Sequence, residues 1–133
     1  IWDSIYPVQI DSVFKEKSIK FATEILGYMW MGNFARRRAE VKSVRNGIAD
    51  FGTYSFYNEP NSMCYSVESP DGLIPASGKA KTVLRYADTG ISAGVCFEGD
   101  GYRTLCLGFP VEALKDETKI DEIISITLEY FNR

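Results

Sequence analysis

The chain has 133 residues, 45% of them hydrophobic and 25% charged, with 15 Lys+Arg against 18 Asp+Glu for a formal net charge of −3. That length suits one domain with a core of its own, and the composition is that of a folded globular protein, not a disordered one. The charge balance offers no footprint for nucleic acid, no apolar run reaches the ~20 residues of a membrane span, and a count of zero histidines excludes Ser-His-Asp, Cys-His and His-zinc chemistry within this chain.

Residues 1–10, IWDSIYPVQI, contain Pro7 and predict an extended lead-in to an α/β core over 11–133. The start at Ile1, with no basic, apolar and small-residue leader after it, reads as a processed piece of a longer protein. From Asp11 the pattern turns helical, with Phe14, Ile19, Phe21, Ala22, Ile25, Leu26 and Met29 as the apolar stripe. Asp11 or Ser12 suits the N-cap, and Gly27 or Gly32 the end.

RRRAEVKSVRNG predicts a strand with a turn at Asn46–Gly47. Its Arg36, Arg37, Arg38, Lys42 and Arg45 form a basic cluster, read either as a solvated strand edge whose charges discourage pairing or as a contact for an acidic sugar polymer. Residues 51–62, FGTYSFYNEPNS, are aromatic and turn-rich. Tyr54, Tyr57, Asn58 and Glu59 are the candidate carbohydrate-binding residues, because rings stack on the C–H faces of sugars while amides and carboxylates take hydroxyls. The alternative is a loop that packs its rings onto the sheet.

Strands are predicted over Met63–Val67, Thr82–Tyr86, Ser92–Phe97 and Thr104–Phe109, with turns at ESPDG, ADTG and EGDG. The last two strands read as a hairpin turning near Asp100–Gly101, covered on both faces, with Val95 and Phe97 sharing a face with Leu105 and Leu107. Cys96 and Cys106 then lie nearly opposite each other, either as buried small hydrophobes or as a cross-strand disulfide. The EGDG turn offers calcium only Glu98 and Asp100, where a full site needs six to eight oxygens, so no metal site is assigned. The closing segment DETKIDEIISITLEYFNR predicts an amphipathic helix with Ile120, Ile123, Ile124, Thr127, Leu128 and Phe131 on one face. Glu59, Glu68, Asp71 and Asp88 fall in predicted turns, where a pair could serve as acid and base but acids are ordinarily just solvated. The fold class is therefore α/β, a mixed and partly antiparallel sheet flanked by an N-terminal and a C-terminal helix.

Two stretches together carry a resemblance. FATEILGYMW closes the first helix, and AGVCFEGDGYRTLCLGFPVEAL precedes the last. A strand ending in a GFP-x-E-like motif before an acidic stretch and a terminal helix resembles the C-terminal part of class I glutamine amidotransferase-like domains. With NSMCYSVESPDGLIPA, the order is similar to that region of secreted Bacteroidetes proteins labelled xanthan lyase. The resemblance covers the chain from about Phe14 onward. It implies the C-terminal portion of a flavodoxin-like or amidotransferase-like fold, and export to the periplasm, surface or exterior. It puts the family's catalytic Glu at Glu112, but Pro110 stands where the family has His, so the thiol has no base.

The expectation is thus a non-catalytic module of an exported polysaccharide-related protein, acting in assembly or carbohydrate contact and needing no cofactor. Its expected partners are polysaccharide, the rest of a longer chain or a second copy. The alternative is part of a polysaccharide- or cell-wall-cleaving lyase or hydrolase that uses carboxylates or tyrosine.

Overall fold

The computed structural model describes residues 12–33, 39–45 and 51–133. Two antiparallel sheets lie between an N-terminal and a C-terminal helix. Helix α1 (Ser12–Lys20) runs into a π-helical turn, Phe21–Leu26, and strands follow as β1 (Tyr28–Asn33), β2 (Glu40–Ser43), β3 (Thr53–Ser55), β4 (Asp71–Pro75), β5 (Ala80–Tyr86), β6 (Ser92–Glu98) and β7 (Arg103–Leu107). A 3-10 turn, Val111–Ala113, leads to helix α2 (Glu117–Phe131). The larger sheet has the order β3-β2-β5-β6-β7, and β1 pairs with β4 in the smaller one. All described pairings are antiparallel, in keeping with the expected α/β class with helices at both ends, and no parallel crossover joins the described strands.

The first helix ends at Gly27, not Gly32. Gly27 has φ +82°, and its N–H donates to the Ala22 carbonyl. A Cβ there would also sit 2.3 Å from that of Phe97, so only glycine serves. The predicted apolar stripe does not form one buried face. Ala22 is buried and Leu26 half-buried, Ile19, Phe21 and Ile25 are exposed, and Met29 belongs to β1. The i→i+5 turn explains this, because it rotates residues 21–26 away from the 3.6-residue repeat on which the stripe was drawn. Asp11 and the side chain of Phe14 lie outside the described residues, as do the predicted turn at Asn46–Gly47 and Arg36, Arg37 and Arg38.

β2 is not a sheet edge. Three-residue β3 pairs along it, Val41 is fully buried, and Lys42 is tied to Glu40 at 3.4 Å. Residues 63–67 form no strand, and β4 begins inside the predicted ESPDG turn.

The β6–β7 hairpin forms as predicted, with Gly101 at φ +82°, but its facing differs. A two-residue turn at Asp100–Gly101 sets Gly99 against Tyr102, so Val95 opposes Cys106 and Cys96 opposes Leu105. Because side chains alternate between faces, the two sulfurs lie on opposite sides of the sheet and no disulfide joins them. Glu98 pairs with Arg103 and Asp100 with Lys79, which accounts for both acids of the turn.

Both faces of β6 are covered, and residues Ser92–Phe97 are all buried. One core cluster gathers Cys96, Val83, Tyr54 and Phe56 with Ile123 and Tyr130 of α2. The other gathers Val95 and Phe97 with Ala22, Tyr28 of β1 and Leu73 of β4. α2 starts at Asp116, whose carboxylate accepts from the Thr118 backbone N–H at 2.9 Å and from its hydroxyl at 2.7 Å. The helix buries only part of the predicted face, Ile120 and Ile123, rotated toward Tyr130. Ile123 and Tyr130 are buried, with Ile120 and Ile126 packed beside them, while Ile124, Leu128 and Phe131 face outward. Tyr130 decides the rotation, since its hydroxyl donates to the Phe97 carbonyl at 3.1 Å across the sheet.

Candidate functional site

A cleft of about 520 Å³ opens where the start of β4, the end of β7, the 3-10 turn and segment 65–70 meet. Its floor is a close crossing of two backbones. The Asp71 N–H donates to the Gly108 carbonyl at 2.7 Å, and a Cβ on Gly108 would lie 1.9 Å from the Asp71 oxygen. The buried Tyr86 hydroxyl stands below, 2.7 Å from the Asp71 carbonyl and 3.1 Å from that of Gly108. Burial, with the nearby Asp71 charge, pushes the Tyr86 phenol far above its usual range, so it remains a donor.

The crossing fixes where Asp71 sits, and β1 orients its side chain. The Trp30 indole N–H donates to Asp71 Oδ1 at 2.8 Å. On the opposite wall, the Tyr65 hydroxyl donates to Glu112 Oε1 at 2.8 Å. Desolvation, together with that carboxylate, raises Tyr65 to about 12. The segment carrying Tyr65 is held locally: Asn61 Oδ1 accepts the N–H groups of Met63 and Cys64, and the Val67 N–H donates to Tyr57 O at 2.8 Å. Two rings are thus each locked to a carboxylate, and both remain largely open, Tyr65 at 56% and Trp30 at 39% exposure.

Glu68, Asp71 and Glu112 line the cleft with Tyr28, Phe109 and Cys106, and no Lys or Arg is among the described lining residues. The charged side chains among the described lining residues are thus all acidic. Burial pushes the Cys106 thiol up to about 11, so it stays protonated near neutral pH and is no nucleophile. Pro110, also on the wall, offers no group that could take its proton. Among the described residues, no set of three or more Cys, Asp or Glu side chains is placed to hold a metal ion. No described helix is long and apolar enough to cross a membrane.

Of the residues singled out from sequence, Glu112 lies in the cleft, on the 3-10 turn. The other four do not. Tyr54 is buried under α2, where its hydroxyl donates to Glu122 Oε1 at 3.1 Å and accepts from the Gly52 N–H. Tyr57 is half-buried, with the Lys115 ammonium 5.6 Å from its ring centre. Asn58 and Glu59 sit beside it, away from the cleft. Of the four turn acids, Glu68 and Asp71 come together with Glu112, whereas Glu59 and Asp88 stand apart. Tyr65 and Trp30 had no signal of their own, because each was read as part of a strand or a helix end.

Comparisons with protein-family models, with curated proteins and with solved structures gave no match to this chain.

Proposed function

We propose that this chain is a non-catalytic, amidotransferase-like module of an exported polysaccharide-related protein, and that its cleft makes the carbohydrate contact. The observation that carries this reading is the pair of exposed rings, Tyr65 and Trp30, each fixed by a hydrogen bond to a carboxylate of one cleft. Fixed rings offer flat apolar platforms at little entropic cost, and the carboxylate of Glu112, which accepts from Tyr65 on one oxygen, can also accept sugar hydroxyls. The non-catalytic part rests on the missing imidazole and on a cleft thiol raised by burial.

Titrating the labelled protein with an oligosaccharide panel, while following the Trp30 indole N–H resonance, tests the reading. A saturable shift, lost in Tyr65→Ala, supports it. No shift with any sugar sinks it.

A second reading, a polysaccharide hydrolase, is favoured by the meeting of Glu68, Asp71 and Glu112. It predicts new reducing ends from a bound polymer, abolished by Glu112→Gln. A tyrosine-based lyase is less favoured, because Tyr65 is raised to about 12 and makes a poor base near neutral pH.

A further inference from the structure

We infer that Asp100–Gly101, at the tip of the β6–β7 hairpin, is a modification site, where the aspartate isomerises spontaneously to isoaspartate through a cyclic imide. The Gly101 amide nitrogen attacks Asp100 Cγ, a C–N bond forms and water leaves, giving a five-membered succinimide. Water then re-adds at either carbonyl. Opening at Cγ restores aspartate. Opening at the main-chain carbonyl leaves the chain running through Cγ, one atom longer, as isoaspartate. One water leaves and one returns, so no other reactant is needed.

Three observations meet at this tip. The nucleophile is open: nothing lies within 4 Å of a Cβ placed on Gly101, and its N–H donates to no described acceptor. The electrophile is open too. The Asp100 side chain is 97% exposed, and its ion-pair partner, Lys79 at 3.3 Å, is itself 65% exposed, a surface pair that holds it weakly. The backbone between them is loosely held. Residues 99–102 are closed by a single described main-chain bond, from the Gly99 N–H to the Tyr102 carbonyl at 3.0 Å, which leaves the Asp100 side chain and peptide free to rotate into the ring.

Asp71–Gly72 is the same dipeptide in the opposite setting. It opens β4, the Asp71 N–H is bonded to the Gly108 carbonyl at 2.7 Å, Asp71 Oδ1 accepts from the Trp30 indole, and Gly72 is buried. At Asp88 the next residue is Thr89, whose β-branched side chain crowds the attacking nitrogen. The fold thus exposes one of these sites and protects the other with the same sequence.

The test incubates the folded chain at neutral pH and body temperature. Isoaspartate is read by methyl transfer from an isoaspartyl methyltransferase and located by electron-transfer fragmentation of tryptic peptides, which separates it from any arising at Asn46–Gly47. Isoaspartate at Asp100 should exceed that at Asp71 by roughly tenfold or more, because closure at Asp71 must first break two hydrogen bonds. In guanidinium, where the two dipeptides are alike, the two sites should converge. Asp100→Glu, which keeps the charge for Lys79 but forms no five-membered ring, should remove the signal at the tip at unchanged melting temperature. Equal accumulation at Asp100 and Asp71 in the folded chain overturns the inference, because the fold would then select neither. Isoaspartate at Asp100 in the unfolded chain alone overturns it too, by showing that the turn holds the nitrogen away from Cγ.

Discussion

Gly108→Ala tests the backbone crossing under the cleft. The new methyl would start 1.9 Å from the Asp71 carbonyl oxygen. An ordinary C···O contact is about 3.3 Å, so the strands must separate by about 1.4 Å. That breaks the 2.7 Å bond from the Asp71 N–H to Gly108 and pulls both carbonyls from the Tyr86 hydroxyl. Each lost bond costs ~1 kcal/mol net, and buried groups left without partners add to it, for a total of about 3 kcal/mol. With an unfolding entropy of ~2.1 cal/mol/K per residue, a 133-residue chain should lose about 11 °C in melting temperature. Calorimetry reads this directly. Gly78→Ala, where nothing lies within 4 Å of the added carbon, is the matched control and should change stability by less than ~0.5 kcal/mol. A fall of under about 3 °C for Gly108→Ala would show that the crossing relaxes cheaply and does not hold the cleft.

Gly27→Ala combines a left-handed backbone with a 2.3 Å approach to Phe97, and should cost about 2–4 kcal/mol, read as a lower urea midpoint at unchanged slope; a loss under ~1 kcal/mol would mean the π-turn shifts freely. Lys119, with the Tyr54 hydroxyl adding to it, holds the Glu122 carboxyl below its ordinary value against some desolvation. The folded pKa is therefore the lower one, so this carboxylate stabilises the protein above the ordinary glutamate range and loses that contribution as pH falls through the folded value. Melting curves from neutral pH to about pH 3 should drop more steeply for the native chain than for Glu122→Gln, and parallel curves would refute the linkage. Burial raises the Cys96 and Cys106 thiols, so a thiol reagent at about pH 8 should modify half-buried Cys64 first and all three only in denaturant. Labelling of Cys106 as fast as Cys64 would contradict its placement.

Strands β5, β6 and β7 and the last helix were legible because their signals are local. Short apolar runs between DG and TG turns marked β5, β6 and β7, and the acidic first turn marked α2. The facing of these elements was not legible. α2 carries apolar residues around more than half its circumference, so Ile120, Ile123 and Tyr130 competed with Ile124, Leu128 and Phe131 for the core. A long-range bond from Tyr130 to Phe97 settled it, and no window of sequence contains that bond. The site was hidden for the same reason. Trp30, Tyr65, Asp71 and Glu112 come from a strand, a loop, a strand start and a 3-10 turn: the β1–β4 pairing brings Trp30 to Asp71, and the fold brings Tyr65 to Glu112. Conversely, the aromatic run that looked like a sugar patch supplied Tyr54 to the core, because burying a ring is worth more than exposing it.

The two-residue turn at Asp100–Gly101 keeps the two hairpin thiols from each other. Its even length is what keeps Cys96 and Cys106 on opposite sides of a sheet. A one-residue slip of β7 along β6 would reverse that parity and set Cys106 across from Cys96. In this register the two hairpin thiols cannot bridge each other, a property written in strand pairing and not in the cysteine count.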